Sequence, residues 1–146
     1  MTINLFSNQI TTPSGLTPGS RGEAFGMRPE TVGAVSYFAL STEATRSLRS
    51  GGGKKRVRIP LPGGSPVVCS LNQEVNSAGS VTLSGVPEGG GLAGNCNLVV
   101  ENGQVSGIID TPRGRYRIVP LGSGNAHAVV QIRTEAFPNE GPTLRK

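Results

Sequence analysis

From residue 34 onward the chain sets short apolar runs between turn residues at spacings of about ten positions, the pattern of a β protein. Val35-Ser36-Tyr37-Phe38-Ala39-Leu40 suits a strand. Ser41 is placed to cap a short helix over Thr42 to Leu48, with Glu43 at its positive end and Arg46 and Arg49 toward its C-terminus. Glycines 51 to 53 end that helix. Lys54, Lys55, Arg56 and Arg58 then flank and interleave with Val57, Ile59 and Leu61, a strand whose charges read as a guard against edge-to-edge pairing. Pro60 to Gly64 predicts a turn, Pro66 to Leu71 a strand, and Ser80 to Val86 another alternating strand. Pro87 to Gly94 is rich in glycine, but no helix follows to present its N-terminus to a phosphate, so it reads as a connection.

The stretch from Leu98 to Ile132 is the clearest. Leu98-Val99-Val100 leads into Asn102-Gly103, a dipeptide that tolerates the positive φ angles of a two-residue hairpin, and Val105 to Ile109 returns. Arg115-Tyr116-Arg117-Ile118 alternates charge with bulk, as a sheet with one wet face requires. The turn Gly122 to Asn125 separates it from Ala128 to Ile132. These segments together predict a mainly β fold, an antiparallel β-sandwich or open β-roll with one short helix.

Three regions follow from this reading. Residues 1–33 are rich in Thr, Ser, Asn, Pro and Gly without a sustained period, and read as an extended arm, flexible on its own or ordered by a partner. Residues 34–133 form the β domain. Residues 134–146 form a connector with few secondary-structure signals. A chain of 146 residues is most simply one domain, and 22 glycines with 11 prolines point to a modest core among long connections.

Charge changes the picture little. The formal net charge of +5 invites a nucleic-acid reading, yet charged residues are only 16% of the chain. Phe6, Phe25, Tyr37, Phe38, Tyr116 and Phe137 are scattered, with no paired platform on which bases would stack, so no nucleic-acid partner is expected. No run reaches membrane-spanning length, and the opening MTINLFSNQITTPSG does not read as a signal peptide.

Reactive chemistry is sparse. His127 is the single histidine, placed at the start of a strand, where a structural hydrogen bond is its expected role. No Gly-x-Ser-x-Gly, HExxH, CxxC or Cys/His cluster occurs, so no catalytic residue, metal site or cofactor is assigned and the chain reads as a non-enzyme. Cys69 and Cys96 form a candidate disulfide. A bridge would close a loop of roughly 28 residues and contribute about 3 kcal/mol in an oxidising compartment, the alternative being two buried thiols.

Several motifs, taken in order, carry a resemblance. VSYFALSTEATRSL matches a strand-helix opening, and KRVRIPLPGGSPVVCSL a strand, Pro-Leu-Pro-Gly turn and return strand. ENGQVSGIID follows, then GRYRIVPLGSGNAHAVVQI, with EAFPNEGP last. From Val35 to Pro142 this series resembles the propeptides of secreted zinc metalloendopeptidases of the metzincin type, related to the reprolysins. The resemblance implies a non-catalytic domain that assists folding of the protease, inhibits it by covering its active-site cleft, or does both, with the metalloendopeptidase catalytic domain as partner in cis or trans. It implies a secreted or cell-envelope location. It makes Phe137, Pro138 and Glu140 candidates for the segment crossing the cleft, and Arg145-Lys146 a candidate processing site. The chain departs from the family in lacking the Trp expected near Val81 to Leu83 and any cysteine after His127 to ligate the zinc. The alternative is a structural, assembly or cell-surface adhesion β-sandwich, self-associating through its N-terminal arm.

Overall fold

The computed structural model describes residues 2–10, 32–50, 53–76, 79–88, 94–112, 114–121 and 125–133. Ten strands and one helix occupy them: β1 (Thr2–Asn4), β2 (Phe6–Ile10), β3 (Val32–Leu40), α1 (Thr42–Arg49), β4 (Lys54–Ile59), β5 (Val67–Val75), β6 (Val81–Pro87), β7 (Asn95–Glu101), β8 (Gln104–Thr111), β9 (Gly114–Pro120) and β10 (Ala126–Ile132). The chain is mainly β with one short helix, as its turn spacing predicts. Of the two architectures expected, the single rolled sheet is the one formed.

The roll follows from connectivity. The strands form one sheet in the order β1-β4-β5-β6-β7-β8-β9-β10-β3-β2, so β1 and β2 are its two end strands. Laid flat, the ends would stand about 43 Å apart at the usual spacing of about 4.8 Å. Only Leu5 joins Asn4 to Phe6, so the ends lie within about 7 Å of each other. The sheet must therefore curl until it nearly closes. Leu5 makes the closure in hydrogen bonds: its N–H donates to the Arg58 carbonyl at 3.1 Å, and its own carbonyl accepts from the Ser41 N–H at 3.2 Å. β1 runs parallel to β4 and β2 antiparallel to β3, so one bent strand changes partners at a residue with no exposed surface.

Alternate residues fill the interior. Val57, Ile59, Leu71, Leu83, Leu98, Val100, Val105, Ile109, Ile118 and Val129 are all buried in one cluster, while their neighbours on the same strands include the exposed Arg58, Ser84, Asn97, Ser106 and Arg115. That period-two burial is what a sheet with one wet face produces. Phe6 stacks on Phe38 at 5.2 Å between ring centroids. Helix α1 adds Leu48 to the same cluster. Ser41 caps it as predicted, its Oγ accepting from the Ala44 N–H at 3.1 Å, and the Gln73 side chain donates to the Leu48 carbonyl at 2.7 Å.

Curvature is concentrated at two inward-facing glycines. A Cβ on Gly85 of β6 would lie 1.9 Å from the Ser70 carbonyl oxygen, and one on Gly107 of β8 would lie 2.2 Å from that of Asn97. The neighbouring strand's backbone folds over each position, a corner only a residue without a side chain permits. The Asn102-Gly103 hairpin has φ of 53° and 74°, the doubly positive pair of a type I′ turn.

Two regions differ from expectation. Residues 2–10, within the stretch read as an extended arm, supply the strands that close the barrel; the alternation Thr2-Ile3-Asn4-Leu5 is too short to register as a period, and the strands' partners lie far along the chain. The charged strand β4 is not an edge, since β5 pairs with one side and β1 with the other. Its outward cations meet solvent and local partners instead: Arg56 forms an exposed ion pair with Glu88 at 2.7 Å.

Candidate functional site

A cleft on the surface follows from how the barrel is closed. β2 pairs with β3 as far as Leu40, where Ser41 ends the strand by starting α1. The side of β1 away from β4 therefore meets a helix rather than another strand, and a cleft of about 620 Å³ opens there. Ile3, Phe6, Ala44, Pro60 and Pro66 give it apolar walls, and Thr2, Asn4, Ser41, Glu43, Ser47 and Arg58 give it polar ones. Pro60 and Pro66 keep the wall from extending as a ladder, because proline has no N–H to donate. The chemistry offered is that of binding: an apolar floor, one carboxylate, one guanidinium and several hydroxyls. Sequence reasoning missed this cleft because it depends on residues 2–4, and the spacing of Ile3 and Leu5 was its one local signal.

His127 sits in the barrel interior with no exposed surface. Its Nε2 accepts from the Val105 N–H at 3.1 Å, and its Nδ1 lies 2.9 Å from the Asn125 carbonyl. One nitrogen must accept and the other must donate, which assigns the neutral ring with the proton on Nδ1. Burial holds the ring below the ordinary imidazole range, opposed in part by the bond to the Asn125 carbonyl. A histidine whose two nitrogens are both committed to backbone has the structural role predicted for it.

Cys69 and Cys96 are both buried and both free thiols, so the expected disulfide is not formed. They lie on β5 and β7 with β6 between them, and the inward position of β6 in register with Cys96 is Gly85, which has no side chain to separate the sulfurs. The thiols share a hydrogen bond; that bond, and burial with it, pushes Cys96 far above the ordinary thiol range. Strands on either side of a third do not bring their backbones to bridging distance as directly as paired neighbours do, which is the tertiary fact that loop length could not supply. The candidate connector residues Phe137, Pro138 and Glu140, and the candidate processing pair Arg145 and Lys146, lie outside the described residues. Among the described residues no three His, Cys, Asp or Glu side chains gather as a metal site would require, and no helix is long and apolar enough to cross a membrane.

The outer wall of β3 and β10 carries a second apolar cluster, with Tyr37, Ala128 and Val130 buried and Val35, Val119 and Leu121 packed against them. No family model, curated protein or solved structure matches this chain.

Proposed function

We propose that this chain is a non-catalytic, propeptide-like domain that assists folding of a secreted zinc metalloendopeptidase, blocks it by covering its active-site cleft, or does both. The observation that carries the reading is the ordered series of motifs between Val35 and Pro142. Several described positions of that series also hold the barrel. Gly103 makes the hairpin turn at φ 74°, Gly107 the close strand approach, Ile109, Tyr116 and Ile118 the core, and Val105 donates to His127. A motif whose residues build a scaffold fits a domain that works by shape.

On this reading the barrel docks as a rigid body and the connector 134–146, with Phe137, Pro138 and Glu140, passes over the cleft. Arg145-Lys146 is then the site at which the two parts are separated, outside the cell or in its envelope. The test is to add the full chain to the mature catalytic domain of a reprolysin-type metalloendopeptidase encoded with it, measuring peptide hydrolysis and the yield of active enzyme on refolding. Inhibition at micromolar concentration, or a several-fold gain in refolding yield, is expected. Neither effect at tens of micromolar would end this reading and leave assembly or adhesion in its place.

A further inference from the structure

His127 ties β10 to β8, two strands that the sheet separates by β9. The Asn125 carbonyl accepts from both His127 Nδ1, at 2.9 Å, and the Leu40 N–H, at 2.8 Å, and the Asn125 side chain donates back to the Leu40 carbonyl at 3.3 Å. Through Nε2 the ring also holds the Val105 N–H at the start of β8. One imidazole thus joins the entry to β10, itself bonded to the end of β3, to the return strand of the β7–β8 hairpin. The ring lies tilted against Phe6, 5.8 Å between ring centroids, the first residue of β2 and part of the strand that closes the barrel.

A second proton has only Nε2 to occupy, and the Val105 N–H already points there. Two donors would then face each other in a dry interior, and a cation would have been created with nothing to pair with it. Among the described residues, the elements packed against the ring offer no counter-charge. β2 and β10 contain no charged residue, β3 contributes Phe38 on its inner face, and the one titratable side chain of β3, Tyr37, belongs to the outer cluster. Asp110 of β8 is paired with Arg115 of β9 at 2.6 Å on the outer face, and Arg117 stands in register with Val130 of the outer cluster. The inward titratable side chains of the core cluster, Tyr116, Cys69 and Cys96, include no carboxylate.

We propose that His127 is an acid-sensitive latch: its protonation turns Nε2 from acceptor to donor, breaks the tie from β10 to Val105 of β8 and loosens the packing on Phe6, opening the barrel at its seam. The inference stands apart from the proposed protease partner, because it concerns only how this barrel is held shut. The sign follows from linkage. The folded ring binds its proton less readily than the unfolded one, whose value is about 6.5. The stabilising contribution is therefore complete above pH 6.5 and lost as pH falls from there toward the lower folded value, with the folding equilibrium constant declining up to about tenfold per pH unit from this one proton.

The test compares the full-length chain with His127→Gln, which keeps a neutral donor and acceptor, by denaturant unfolding at pH 7.5, 6.5 and 5.5. Amide exchange at Val105 and Leu5 is followed alongside. The wild-type chain is expected to lose up to about fivefold in its folding constant between pH 6.5 and 5.5 beyond any loss in the variant, with exchange at both amides rising in parallel. Should the variant not fold, the single histidine still gives an unambiguous ring-proton NMR signal in the wild-type protein. Titration of that signal near 6.5 with the amides still protected would overturn the proposal, as would pH profiles that are the same in both chains.

Discussion

Placing a methyl group on Gly85 tests the barrel's curvature directly. The added Cβ of Gly85→Ala would lie 1.9 Å from the Ser70 carbonyl oxygen and 2.9 Å from its carbon, where real Cβ contacts essentially never fall below 3.0 Å. The obstructing atoms are backbone, so no rotamer change relieves them; β5 and β6 must separate by about 1 Å or more. Such a shift strains the pairs Ser70↔Val86 and Leu71↔Gly85 and pulls Leu71 away from the core. Two weakened ladder hydrogen bonds at about 1 kcal/mol each and the usual cost of overpacking, about 1–3 kcal/mol, give a destabilisation of about 3 kcal/mol or more. The melting midpoint should fall by about 10 °C or more for a chain of this size. Ser84→Ala, one position away on the outer face, is the control and should stay within about 0.5 kcal/mol. The assay is equilibrium unfolding in urea with circular dichroism detection. If Gly85→Ala unfolds with the midpoint of the wild-type chain, the sheet does not fold over at this residue and the account of the corner is wrong.

Leu5→Ala should cost about 2–5 kcal/mol, because Leu5 is fully buried at the join between the two end strands; a loss below about 1 kcal/mol in urea unfolding would show that the N-terminal strand does not seal the barrel. Ser41→Ala removes the acceptor for the Ala44 N–H and should cost about 1 kcal/mol, with Ser41→Asp restoring most of it. In non-reducing buffer, Cys69 and Cys96 should resist a thiol-specific chromogenic reagent in the native protein and release two equivalents per chain in denaturant; zero equivalents in denaturant would mean that the bridge forms after all.

The strands from Val35 to Ile132 were legible because each carries its own period-two pattern and its own turn. Ser41 capping α1, Asn102-Gly103 reversing the chain and the buried alternation of Tyr116 and Ile118 are all local facts, decided by the residues within a few positions. The structural role of His127 was legible too, from its place beside a turn on an apolar strand. The cleft was not, and neither was the bond from Val105, which reaches His127 from a different strand, whereas Asn125 lies two residues away in its own turn.

By itself the sequence determined a β-rich chain with one capped helix, a meander of hairpins and no local catalytic motif. Tertiary structure alone decided that the sheet rolls up, that residues 2–10 close it, and that Cys69 and Cys96 meet as thiols across Gly85. The reason is range. Patterning and turn chemistry act between neighbours, whereas closure requires Leu5 to bond Arg58 on one side and Ser41 on the other, a juxtaposition that exists only once the intervening strands have paired and curved.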